Sequence, residues 1–291
     1  LENAVSHSKP NTLFIVIDQL RGDCVFGGLE SSLDLLNIRA LAADAVSFRN
    51  HYSVTSPCGP SRVSLLTGQY ASNHRATRNG TPLKRDVANL ATVARDAGFD
   101  PLLFGYTDTS HDPRFLPPDD PRLFSYEELA PGFDEVVRMR LEGDSSAWEQ
   151  HLRDNCYDVP PYPEMYRPVG DSPDAPALYA AEHSDTAFLT DRVIDDLAKR
   201  PQGWFALVTY IRPHPPFVAP APYNMMYDEA NMPSALEAAD PDWHPYVETA
   251  RRKSNVASTV VGFPDLDASD ATTRMIRKLY FGLGTEVDHH I

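Results

Sequence analysis

The chain predicts an α/β fold with a central, mostly parallel sheet flanked by helices. Three stretches of strand length, at residues 12–18, 99–105 and 204–211, are strand candidates, and the first is continuous and apolar from Leu13 to Ile17 with no polar alternation. Strands buried on both faces read this way. Helical patterns separate the runs, and strands that alternate with helices imply parallel pairing. Polar groups close each run: Asp18-Gln19, then Tyr106-Thr107-Asp108, then Arg212-Pro213-His214. Ligand sites of open α/β sheets lie at such carboxyl ends.

Asn11 to Ile17 is the first strand and reads as a central one. Residues 35–46 follow with Ile38, Leu41, Ala42 and Ala45 on one helical face. Ser47 to Val54 is compatible with a short strand. A helix is expected after Pro60, ending near Gly68, and a second from Val87 to Ala97, stopped by Gly98. Phe99 to Gly105 is the second strand. Between about residues 110 and 176 prolines are dense and the periodicity dissolves, which predicts an irregular insertion, a loop region with short elements and no separate core. Asp185 to Lys199 is a helix, Trp204 to Ile211 the third strand, and residues 220–263 a second irregular insertion. Asp270 is placed to cap a last helix that runs into Asp288-His289-His290-Ile291. A usual sheet has about five or six strands, so residues 1–291 read as one domain incomplete at its C-terminus, the N-terminal part of a longer protein.

The 291 residues are 42% hydrophobic and 23% charged, an ordinary globular composition. The net charge of −15 argues against nucleic acid and anionic membranes as partners. No apolar run approaches a membrane span of roughly 18 residues. Cys24, Cys58 and Cys156 are too few and too odd for a disulfide framework, and a cytoplasmic location is expected. An acidic chain that handles anions needs positive charge concentrated at the site.

One loop answers that need. In Ser56-Pro57-Cys58-Gly59-Pro60-Ser61-Arg62, proline fixes the backbone for a first helical turn, so Cys58 falls beside a helix N-terminus. Unpaired N–H groups there favour anions, and Arg62 adds a planar donor fork. Locally, two readings stay open: an inert structural cysteine, or an anion site. Asp18 and Gln19 are likewise either turn-capping groups or oxygen ligands for a hard cation. His214 between prolines is either a loop brace or a functional group, Asn79-Gly80 is either a turn pair or a contact, and Tyr106 is compatible with the core.

Cys58-Gly59-Pro60-Ser61-Arg62, followed by Leu65-Leu66-Thr67-Gly68, closely resembles the signature of the sulfatase family, whose fold is alkaline-phosphatase-like. The further order Asp18-Gln19, Asn73-His74-Arg75 with Asn79, and Arg-Pro-His-Pro-Pro-Phe-Val from Arg212 resembles the branch of phosphonate monoester hydrolases and their arylsulfatase relatives. The resemblance runs from about Asn11 to the end of the chain. It implies a hydrolase of phosphonate, phosphate or sulfate esters. It further implies that a formylglycine-generating enzyme converts Cys58 to 3-oxoalanine (formylglycine), whose hydrate attacks sulfur or phosphorus and forms a covalent intermediate. Asp18, Gln19 and residue 58 would ligate one divalent metal ion, calcium or manganese. Arg62 would position the hydrate, and His214 would act as acid or hydrogen-bond donor. Asn79, Tyr106 and Thr107 would contact the transferred group. Homo-oligomeric assembly is also expected.

Two departures stand out. The family's remaining metal ligands, an Asp-His pair, would lie beyond residue 291, and Asp288-His289 sits within the preceding helix, so it receives no metal role. Asp108 replaces a hydroxyl residue usual in this branch; a carboxylate facing an anion is costly unless paired or protonated, so Asp108 is expected to point away, with Thr107 or Thr109 serving instead. Two alternatives remain: a non-catalytic anion-binding fragment, and a hydrolase that uses the Cys58 thiol itself as nucleophile.

Overall fold

The computed structural model describes residues 9–124, 129–140, 144–234, 245, 249 and 255–291. Among the described residues four strands, β1 (Thr12–Ile17), β2 (Pro101–Gly105), β3 (Asp134–Arg138) and β4 (Phe205–Tyr210), form one parallel sheet in the order β1-β4-β2-β3. Among the described residues the α-helices with defined bounds are α1 (Gly22–Phe26), α2 (Leu36–Asp44), α3 (Cys58–Thr67), α4 (Ala71–His74), α5 (Leu90–Asp96), α6 (Ser146–Asp154), α7 (Asp185–Leu197) and α8 (Asp270–His290).

The chain forms two compact units interleaved in sequence. The first combines Leu1–Asp18, Phe48–Trp148 and Phe188–Ile211, and the second Gln19–Ser47, Glu149–Ala187 and Arg212–Ile291. The whole sheet belongs to the first unit. Leu66 of α3 and Ala91 and Ala94 of α5 pack with Leu103 of β2 and Phe205 and Leu207 of β4 in its core. Every residue of β2 and β4 is buried, as their unbroken apolarity requires. At Gly105 φ is +111° and a Cβ would lie 2.5 Å from the Thr209 carbonyl, so only glycine lets β2 leave the sheet there.

Three expectations change. β1 is an edge strand among the described residues and its faces are only partly covered, with Leu13 48% exposed. Ser47 to Val54 forms no strand. The stretch 110–176 holds the short elements expected of it, and beyond them contributes a strand to the sheet: β3 pairs with β2 through a register shift at Leu103/Phe104. The insertion at 220–263 shows 3₁₀ turns at Tyr223–Met225, Glu229–Asn231 and Val256–Thr259, and its middle lies largely outside the described residues.

In the second unit α8 packs Met275, Leu279 and Leu283 against Phe217, Ala219, Tyr223 and Val260. Gly282 permits this approach, since a Cβ there would stand 2.2 Å from the Tyr223 carbonyl. Asp288 accepts from the Asn37 and Ile38 amides at 3.0 and 2.8 Å, so its carboxylate caps α2. His289 meets the Tyr223 hydroxyl at 2.7 Å. Among the described residues no helix is long and apolar enough to cross a membrane.

Candidate active site

The site grows from the carboxyl ends of β1 and β2 and the start of α3, all in the first unit. Asp18 follows β1, and its amide continues the ladder by donating to the Tyr210 carbonyl at 3.0 Å. Tyr106, Thr107 and Asp108 follow β2. Pro57 is the N-cap of α3, and Cys58 is its first residue rather than lying just before it. Gly68 closes α3 in the left-handed conformation, donating to the Ser64 carbonyl at 2.9 Å.

Asn79 spans the helix start. Its Oδ1 accepts from the Gly59 amide at 2.9 Å, satisfying one of the helix's open donors, and its Nδ2 donates to Cys58 Sγ at 3.0 Å. The side-chain amide therefore orients residue 58 and takes its own position from the helix it caps.

Arg62 lies one turn further along α3. Its Nη2 donates to Asp18 Oδ2 at 3.1 Å, and its guanidinium lies 4.2 Å from the centre of the Tyr106 ring. The Tyr106 hydroxyl donates to the same Asp18 oxygen. Burial works against the Arg62 charge, but Tyr106, Asp18 and Asp108 outweigh it and raise its pKa. Burial pushes the Tyr106 phenol well above its ordinary value. Tyr106 is thus a partner of Asp18 and Arg62. The Thr107 hydroxyl accepts from the Ala130 amide at 2.8 Å and braces the loop.

Cys58 is half-buried, and burial, followed by the charge of Asp108, pushes its thiol up to about 11. An unmodified thiol here stays protonated near neutral pH, so the surroundings oppose a thiolate. Cys24 is wholly buried, its thiol also pushed up to about 11, and is inert. Buried His74 accepts from the Ala76 amide at Nδ1 and meets Ser64 Oγ at 2.8 Å, a structural role.

The remaining expected residues belong to the second unit. Gln19 is exposed, adopts φ +59°, and has its carbonyl held by the Tyr280 hydroxyl at 2.7 Å. His214 is partly buried, with Nδ1 2.5 Å from the Pro215 carbonyl. Its loop hangs on Arg212, which is fully buried. Arg212 Nη1 donates to the His214 and Pro216 carbonyls at 3.2 and 2.8 Å, and Nε donates to Asp185 at 3.0 Å. Sequence reasoning assigned no role to Asp185, or to the buried Glu286 near it; an Asp opening a helix gives no sign that its partner is an arginine 27 residues on.

A divalent cation takes oxygen donors. Both contacts of the Asp18 carboxylate described above fall on Oδ2, and the carboxylates of Asp18 and Asp108 against the single guanidinium of Arg62 make an acidic surround. The donors fit a hard cation in kind. In number they fall short: among the described residues no three His, Cys, Asp or Glu side chains converge as a metal cluster.

The family model described as Sulfatase matches residues 10–291. The structure superposes with a TM-score of 0.93 on the phosphonate monoester hydrolase of Silicibacter pomeroyi, 53% identical over 97% of this chain and 57% of that one. The phosphonate monoester hydrolase of Agrobacterium radiobacter gives 0.90 at 36% identity, with the same coverage. The multifunctional alkaline phosphatase superfamily protein PehA of Trinickia caryophylli is 36% identical over 97% of this chain and 58% of its own length. The chain therefore spans a little over half the length of these relatives. With the model matched across both units and the parallel sheet shared with solved relatives, the chain belongs to the sulfatase family.

Proposed function

We propose that the chain is the nucleophile-bearing part of a metal-dependent ester hydrolase that acts on phosphonate, phosphate or sulfate esters, with Cys58 as the precursor of formylglycine. The observation that carries the reading is the clamp on residue 58: Asn79 holds both Sγ and the Gly59 amide at the start of α3, one turn from the Arg62–Asp18 pair. The family match across residues 10–291 supports taking both units as one catalytic domain.

Each residue has a physical task. Asn79 fixes the direction of the residue 58 side chain. Arg62, stacked on Tyr106 and tied to Asp18, offers a preorganised positive group to the equatorial oxygens of the transferred group, where charge accumulates. Asp18 and Gln19, with residue 58, would hold the cation, which supplies Lewis-acid stabilisation of the same oxygens. His214 would donate to the leaving group from its Arg212-held loop. The hydrated aldehyde of formylglycine would supply the nucleophilic hydroxyl. Thr107, whose hydroxyl accepts from the Ala130 amide, would contact the transferred group together with Asn79 and Tyr106. A small-molecule ester, a formylglycine-generating enzyme and further copies of the chain are the partners this reading implies, in a reducing compartment suited to three free thiols.

The alternative, a Cys58 thiol nucleophile, predicts inactivation by thiol alkylation. The test is hydrolysis of p-nitrophenyl phosphonate, phosphodiester and sulfate esters with calcium or manganese, in this chain and in one extended to its relatives' length. Turnover in the extended chain, lost in C58A, is expected. No turnover of any ester by either would overturn the reading.

A further inference from the structure

Asp108 has no task in the proposed chemistry, yet it is built into the site. It is 4% exposed, with both carboxylate oxygens sealed from solvent. Its φ of +54° places it in the left-handed region, which aspartate adopts more readily than most residues other than glycine. The backbone turn aims the carboxylate at the nucleophile loop. Oδ2 stands 3.3 Å from where a Cβ on Gly59 would begin, beside Asn79 Oδ1 at 3.0 Å from the same point. Asp108 also acts on the thiol of Cys58 and the guanidinium of Arg62.

We propose that Asp108 is a specificity-determining residue that restricts the site to esters carrying a single negative charge on the group transferred. The proposal rests on the function proposed above. Whatever else the site holds, a carboxylate in this position lowers by one the negative charge it can neutralise. Phosphonate monoesters, phosphodiesters and sulfate monoesters bring one charge, and phosphate monoesters bring two near neutral pH. Two like charges about 4 Å apart repel by roughly 1–4 kcal/mol between water-like and surface-protein dielectrics, which converts to about five- to a thousandfold in affinity. The same repulsion would help doubly charged products leave.

Two tetrahedral anions of similar shape, methanesulfonate with one charge and sulfate with two, test this by calorimetry on the wild-type chain and on D108N and D108T. Both variants are expected to raise the sulfate-to-methanesulfonate affinity ratio at least about tenfold, while circular dichroism shows them folded. D108N, which keeps the shape of the side chain, decides the matter if D108T does not fold. An unchanged ratio, or no binding of either anion to any of the three proteins, overturns the role of Asp108. Ester hydrolysis is read separately. A shifted ratio without hydrolysis refutes the functional reading and keeps Asp108, and hydrolysis with an unmoved ratio does the reverse.

Discussion

Arg62 donates to Asp18 across 3.1 Å while both side chains are almost wholly buried. Tyr106 completes the arrangement by stacking under the guanidinium and donating to the same carboxylate oxygen. Removing one member of a buried pair leaves an uncompensated charge, at a typical cost of about 3–5 kcal/mol. R62A is expected to lose about that much stability in urea unfolding. R62K keeps the charge but gives up the planar stack, and should lose less stability than R62A.

Y106F removes one donor from a buried carboxylate and keeps the ring. A loss of about 1–3 kcal/mol is expected, against a larger loss in Y106A, which also removes the stacking surface. Equal stability of Y106F and wild type would show that the hydroxyl does not hold Asp18.

Gly59 is tight because Asn79 crosses it. A methyl there would meet Asn79 Oδ1 at 3.0 Å and Asp108 Oδ2 at 3.3 Å. G59A should be accommodated by a shift of a few tenths of an ångström, whereas G59V should displace the Asn79 amide from Cys58. The check is the crystal structure of each variant, with the Asn79-to-residue-58 contact retained in G59A and broken in G59V.

Glu286 gives the pH prediction. Burial, first, and the charge of Asp185, second, push its carboxyl from 4.5 up to about 8. The folded protein therefore keeps a proton that the unfolded chain has released over this interval. Stability from this group is complete below about 4.5, falls as pH rises, and is lost above about 8. The slope is at most about 1.4 kcal/mol per pH unit. Unfolding midpoints measured from pH 5 to 9 should decline less steeply in E286Q than in wild type, and parallel curves would contradict the assignment.

Asp288 and His289 imitate a metal-binding pair in sequence, but Asp288 serves the start of α2. D288A should lower stability by about 1–2 kcal/mol, as loss of a helix cap does. Its calcium affinity, measured by titration calorimetry, should equal that of wild type.

The parts of the site legible in sequence were those whose chemistry is local. Cys58, Pro60 and Arg62 share one helix start, and Asp18 and Tyr106 each end an apolar run, so their neighbourhood followed from the topology of parallel sheets. What escaped was set by contacts distant in sequence. β3 hides because Asp134-Glu135-Val136-Val137-Arg138 has only two apolar residues and pairs on one edge, among prolines that suggest disorder. The Arg212–Asp185 pair joins residues 27 positions apart. Lys278, 2% exposed between Asp174 and Glu229, reads in sequence as an ordinary surface lysine. The direction of Asp108 depends on a left-handed backbone turn that its residue type permits but does not announce.

Residue 58 carries the account's central claim, and its chemical state is directly measurable. Mass spectrometry of the tryptic peptide containing it, from protein made in its native host, should find an aldehyde in place of the thiol in the active protein. An intact thiol at position 58 in protein that turns over its esters would contradict the formylglycine mechanism.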